Sequence, residues 1–216
     1  HARQRYASRP RLRFECADAT RLPFEAGAFD LVVSFETLEH LAAQEELLAG
    51  FARVLADDGV FVVSSPDKRT YSDATGFRNE FHVRELYRDE LLALLRAHFP
   101  EIRLYAQKLV FQSVLWSQDA VPGGRSEVWN ADRDDGGIAP GFGFDPVYHV
   151  AVCSRRPLPA SLPELSLFGD REESVYAHYN HEIRKNMSAG ARIAELEAEL
   201  AALRAKQEAH GDNAGS

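Results

Sequence analysis

Cysteine is scarce in this chain: Cys16 and Cys153 are the only two among 216 residues. Two isolated thiols make neither a disulfide framework nor a thiolate metal cluster. Both lie in strand-like apolar runs and read as small core hydrophobes, no metal ligand is expected, and a reducing cytoplasm suits them. Long apolar runs are missing too. None approaches the roughly 18 residues a membrane span requires, and no signal peptide is visible. Positive charge is in deficit, with 25 Lys and Arg against 33 Asp and Glu and a net charge of −8. That argues against a nucleic-acid-binding face, and the local run Arg3, Arg5, Arg9, Arg11, Arg13 reads as a solvated helix surface. The chain does not begin with Met, and "HARQRYASRP" reads as the end of a helix already under way, which predicts a fragment cut upstream.

What the chain does contain alternates between strand and helix patterns. Residues 2–8 suit a helix stopped by Pro10, and "LRFECADA" (12–19) suits a strand feeding a turn. The continuous apolar run in "AFDLVVSFE" (28–36) marks a strand buried on both faces of a parallel sheet. "EELLAGFARVLADDG" (45–59) carries Leu47, Leu48, Phe51, Val54 and Leu55 at helical spacing, with Gly59 in the position of a C-cap. A strand at 60–66, a polar loop at 67–80, a helix at about 83–98, and strands at 102–112 and 147–155 follow. Residues 117–144 read as one long loop, functional or disordered. Two final strands without a helix between them predict a parallel sheet that ends in an antiparallel pair.

Beyond Arg156 the composition changes. Pro157, Pro159 and Pro163 form a semi-rigid linker (156–169), and a helical extension is expected over 170–207, with a disordered tail at 208–216. Ile193, Leu196, Leu200 and Leu203 have the 3-4-3 spacing of about two heptads. A single amphipathic helix docked on the domain accounts for them nearly as well.

Ligands of open α/β sheets bind beyond the carboxyl ends of the strands. Three strand ends here are polar: Asp18, Ser34 to Glu36, and Ser64 to Lys68. An aspartate in such a turn, with the backbone N–H of Ala19 or Thr20 beside it, can read an adenine edge; alone, it is more often an Asx-turn. The ordered run Ala17-Asp18-Ala19, Leu22-Pro23-Phe24, Phe29-Asp30, Val32, Leu38-Glu39-His40 and Leu55 to Gly59 resembles the central third of class I S-adenosylmethionine-dependent methyltransferases, over roughly residues 1–155. The resemblance implies an α/β, Rossmann-like methyltransferase sheet, mostly parallel with an antiparallel C-terminal pair, and S-adenosylmethionine as cofactor. Asp18 and Ala19 would hold its adenine, with Ser34 and Phe35 at its methionine end. The family's glycine-rich loop and its ribose-binding acidic residue have no counterpart here, so the first two strands are expected to be missing. The strand at 12–19 would then pair directly with the next one or be loosely held, and the fragment alone should bind cofactor weakly or not at all.

Catalytic candidates follow from what methyl transfer to a hydroxyl needs, an oriented acceptor and a general base. His82 leads, within a run (Tyr71, Asn79, Phe81, His82, Glu85, Leu86, Tyr87) similar to methyltransferases of bacterial surface-glycan clusters; the competing reading has it N-capping the 83–98 helix. His40 and Glu36 follow. His149 reads as a core histidine, while Trp116 and Trp129 are candidates for stacking on a sugar. The expected acceptor is a saccharide or another small molecule, and the C-terminal helix would serve self-association or a fused glycosyltransferase domain. The rival expectation is a non-catalytic fragment whose coiled coil serves assembly.

Overall fold

The computed structural model describes residues 1–110, 115, 127–131, 137–169, 178, 185, 192, 193 and 196. His1–Leu162 form one compact unit and Pro163–Ser216 a second. In the first, the elements run α1 (Ala2–Arg5), β1 (Phe29–Ser34), a 3-10 turn (Leu38–His40), α2 (Gln44–Val54), β2 (Leu55–Pro66), a π turn (Arg69–Asp73), α3 (Arg88–Arg96), β3 (Glu101–Gln107), β4 (Trp129–Ala131), β5 (Ile138–Pro140) and β6 (Tyr148–Ser154). The second is irregular over residues 163–169. The expected helical extension and tail lie outside the described residues, apart from five positions that are helical, Ile193 and Leu196 among them.

The main sheet has the order β1-β2-β6-β3. β1 runs parallel to β2, and β6 lies between β2 and β3, antiparallel to both. Three strands therefore point one way, but two of the three ladders are antiparallel, fewer parallel contacts than "mostly parallel" implies. The cause is the insertion of β6 between β2 and β3, where it runs against both neighbours and makes both of its ladders antiparallel. β4 and β5 pair in a separate small ladder, inside what the sequence presents as unbroken loop.

One face of the sheet holds the core. Val32, Phe61, Val63, Ala151, Cys153, Ile102 and Leu104 pack against Leu47, Leu48 and Phe51 of α2 and Leu91 and Leu95 of α3. Phe61 is enclosed by the rings of Phe51 and Phe99, at 5.3 and 5.5 Å between centroids. Alternation sends Leu31 and Val33 to the opposite face, where they are 56% and 55% exposed.

Several sequence expectations need correction. Residues 12–19 form no strand: their backbone finds no ladder, and the segment is tied down by Arg3 Nε donating to the Phe14 carbonyl (2.9 Å) and by Tyr6 stacking on Phe14. Of the two arrangements expected for it, direct pairing with β1 is excluded. Cys16 on this segment is exposed, while Cys153 is buried as expected. α2 stops at Val54, because Leu55 already adopts extended backbone (φ −78°, ψ 134°) and β2 begins there, so Gly59 caps no helix. α3 begins only at Arg88, since the backbone of residues 83–86 is engaged elsewhere. Val83 and Arg84 donate to the Glu39 carbonyl, and the Leu86 carbonyl accepts from Lys68. Tyr87 is the N-cap, its N–H bonded to Glu90 Oε2 at 2.9 Å, and His82 is not a cap.

Candidate active site

The carboxyl ends of β1 and β2 are joined through side chains. Ser64 of β2 donates to Glu36 Oε1 (2.6 Å) and accepts from the Glu36 N–H (3.0 Å). That clasp holds Glu36 at φ +49°, left-handed backbone that a non-glycine residue occupies at a cost and that concentrates at functional sites. The 3-10 turn follows directly. It is stapled to the segment 81–84, forty residues further on, by a set of bonds that neither secondary structure nor sequence proximity predicts. Gln44, buried at the start of α2, donates to the Leu38 and Arg84 carbonyls at 2.9 and 2.8 Å. Val83 and Arg84 donate to the Glu39 carbonyl, and His40 Nδ1 lies 2.8 Å from the Phe81 carbonyl.

These bonds place His40 and His82 edge to face, with ring centroids 5.0 Å apart. His82 Nδ1 lies 2.6 Å from Glu85 Oε1, both side chains less than a tenth exposed. A carboxylate only accepts, so Nδ1 carries the hydrogen of the neutral imidazole and Nε2 keeps its lone pair. Nε2 accepts from Asn79 Nδ2 at 3.1 Å. Tyr71 stacks on the His82 ring and meets Tyr148 edge-on. Burial, with help from Glu36, Tyr71 and Glu39, pushes the Tyr148 hydroxyl above its usual range. Glu39 is fully buried beside this group, and burial raises its carboxyl, with Glu36 adding to the effect.

The structure thus brings together all three catalytic candidates, His82, His40 and Glu36. The sequence singles out Ser64 as a polar strand end and Glu39 and Glu85 as motif residues, without giving any of them a role at the site, and it does not single out Tyr148. On the cofactor side, Ser34 is buried at the end of β1 and Phe35, just past it, is exposed. Asp18 is exposed in an Asx-turn: one of its oxygens accepts from the Thr20 N–H (2.9 Å) and hydroxyl (2.7 Å), which lower the carboxyl. Ala19 packs on the core edge. His149 is buried in β6 as expected, and its Nε2 lies 3.3 Å from Asp67 Oδ2. Trp129 is exposed on β4, and Trp116 lies outside the described residues.

Residues 1–63 match the family profile described as "Methyltransferase domain". The matched segment carries Asp18 through His40 and reaches into β2. A Mycobacterium tuberculosis protein described as a probable S-adenosylmethionine-dependent methyltransferase is 40% identical over 96 residues, 44% of this chain and 34% of its own length. The malonyl-[acyl-carrier protein] O-methyltransferase of Geobacter sulfurreducens is 35% identical over 102 residues, 41% of this chain and 38% of its own. The chain therefore spans little more than a third of the length of these relatives. A solved Thermotoga maritima structure, described as an S-adenosylmethionine-dependent methyltransferase and possible histamine N-methyltransferase, aligns with 65% of this chain and 62% of its own at 20% identity, with a TM-score of 0.45. No described helix is long and apolar enough to cross a membrane.

Proposed function

We propose that this chain is part of an S-adenosylmethionine-dependent methyltransferase that methylates an oxygen of a small-molecule acceptor, a saccharide being the expected class. The observation that carries the reading is the methyltransferase-domain match over residues 1–63, which includes Asp18, Ala19, Ser34 and Phe35, the residues assigned to the cofactor.

The chain's residues fit one side of such a cofactor. The Asx-turn fixes Asp18 through one oxygen, and the second oxygen would accept from the exocyclic amine. Ala19 would lie beside the adenine, with Ser34 and exposed Phe35 at the methionine end. When bound, the cofactor supplies an electrophilic methyl group on a sulfonium. The protein orients the acceptor oxygen and takes its proton. His82 suits that task, since Glu85 fixes its tautomer and leaves Nε2 as the basic atom. Asn79, now on that atom, marks where an acceptor hydroxyl would bind. His40, in ring contact with His82, and Glu36 would be the further candidates for that task. The helical extension would serve self-association or link a further domain.

The test is transfer of labelled methyl groups by protein expressed from its whole reading frame, with saccharide, malonyl and amine acceptors. His82→Gln is expected to lower kcat by about 100-fold or more, the usual worth of a general base, and Asp18→Ala to weaken cofactor binding. Absence of transfer to every acceptor, or full activity in both variants, would overturn the reading.

A further inference from the structure

Glu39 is the least satisfied charged group in the described fold. Its side chain is 1% exposed, and neither carboxylate oxygen accepts a directed hydrogen bond. Its own backbone N–H is the one hydrogen-bonding group nearby, and its effect on the carboxyl is smaller than that of burial. An ionised carboxylate in such surroundings costs several kcal/mol without a compensating charge. The groups facing it are Glu36, of like charge, and the imidazoles of His40 and His82. Both imidazoles turn a lone pair outward. His40 Nδ1 is 2.8 Å from the Phe81 carbonyl and His82 Nδ1 is 2.6 Å from Glu85, and both acceptors require the hydrogen on Nδ1. In the neutral imidazole His40 Nε2 is then the nitrogen without a hydrogen, and it lies 3.7 Å from Glu39 Oε1.

We propose that Glu39, His40 and His82 bind a single divalent transition-metal ion. One donor atom from each lies within 4.8 Å of the other two. Donors about 2.1 Å from a tetrahedral metal sit about 3.4 Å apart, so the 3.7 Å His40–Glu39 pair is nearly in place and the third ligand needs a small side-chain rotation. Anchoring of each Nδ1–H by a carbonyl or carboxylate is the arrangement that orients metal-bound histidines. Asn79, which donates to His82 Nε2 at 3.1 Å, is the group that must yield. His40, 40% exposed, leaves the ion a route from solvent and an open coordination position. Two imidazoles and one carboxylate suit zinc, iron, cobalt or manganese and disfavour magnesium or calcium, which prefer all-oxygen shells. Binding of the ion stands apart from the transferase reading; its role rests on that reading. On a hydroxyl acceptor the ion would lower the hydroxyl's pKa so that its proton leaves to solvent at the exposed His40 edge, and His82 would then serve as ligand in place of base.

The experiment is calorimetric titration of Zn2+, and absorption spectroscopy with Co2+, on tag-free protein expressed from the whole reading frame. One ion per chain is expected, with d–d bands for Co2+. Glu85→Gln should weaken binding by about 10–100-fold, as loss of an orienting partner does, and His40→Ala and Glu39→Gln by more. His40 is exposed, so His40→Ala decides the matter even if the buried variant fails to fold. Absence of binding, or binding unchanged in His40→Ala, overturns the proposal; cofactor binding or methyl transfer that persists in that outcome leaves the transferase reading standing.

Discussion

Gly50 and Gly59 stand in one run that reads as a single helix, yet alanine at the two positions is expected to act with opposite sign. At Gly59 the helix has ended, and the backbone is outside the left-handed region. An added Cβ meets Leu55 Cγ and Cδ1 at 2.9 Å and the Ala56 carbonyl oxygen at 3.0 Å. Leu55 is buried and cannot swing clear, so overpacking should cost about 1–3 kcal/mol. At Gly50, inside α2, the nearest atoms are the Ala19 oxygen at 3.8 Å and Leu22 Cδ1 at 4.0 Å, ordinary contacts. Alanine there should contribute about 0.5–1 kcal/mol of helix propensity. Urea denaturation reads both. With a slope of about 2 kcal/mol/M, Gly59→Ala lowers the midpoint by about 1 M and Gly50→Ala raises it by about 0.3 M. Gly59→Asn separates the two causes. Asparagine tolerates a left-handed cap better than alanine does, but in a steric trap the larger side chain is worse. A Gly59→Asn protein more stable than Gly59→Ala would refute the packing argument and restore the helix cap.

Gln44→Leu removes two donors from the carbonyls of Leu38 and Arg84 and should cost about 2–3 kcal/mol; hydrogen exchange should show the Val83 and Arg84 amides losing protection, and unchanged protection would disprove the staple. A thiol reagent at pH 8 should label exposed Cys16 rapidly and buried Cys153 only on unfolding, because burial pushes the Cys153 thiol up to about 12. Burial holds His149 below its ordinary 6.5, with Arg88 and Arg69 acting in the same direction and Asp67 opposing. The native imidazole thus stays neutral where the unfolded one takes a proton, and stability falls as pH drops below 6.5 toward the lowered value. His149→Asn should flatten that fall, measured as the urea midpoint against pH; an unchanged slope would count against it.

Periodicity located the strands at β1, β2, β3 and β6 because each carries a short apolar or alternating run bounded by polar residues. The reversal of β6 was legible as well, from the lack of a helix after β3. Boundaries failed where backbone hydrogen bonds are spent on partners that pattern does not reveal. α2 could have continued through Leu55 by composition, but Leu55 and Ala56 carbonyls instead receive Arg155 from beyond β6. The segment 83–86 could have been helical, but the 3-10 turn and Lys68 claim its groups. Residues 12–19 have the alternation of a strand, and alternation alone makes none without a neighbouring edge to pair with.

The site was half legible for a related reason. Glu36 and His40 stand out by residue type just past a strand end, where polar side chains invite a ligand, and His82 stands out within its motif run ahead of a helix. Glu39 lies between two of them and reads as a helix-turn residue, since nothing in "FETLEHL" says which glutamate turns inward. That depends on the left-handed backbone of Glu36, which the Ser64 clasp holds and which precedes the turn that carries Glu39 inward. The burial of one carboxylate and the exposure of the other are therefore decided by a hydroxyl 28 residues away. With Glu36 bonded to Ser64 and neither Glu39 oxygen held by another side chain, the two carboxylates divide their work: the first fixes the turn, and the second is left to attract positive charge between two imidazoles.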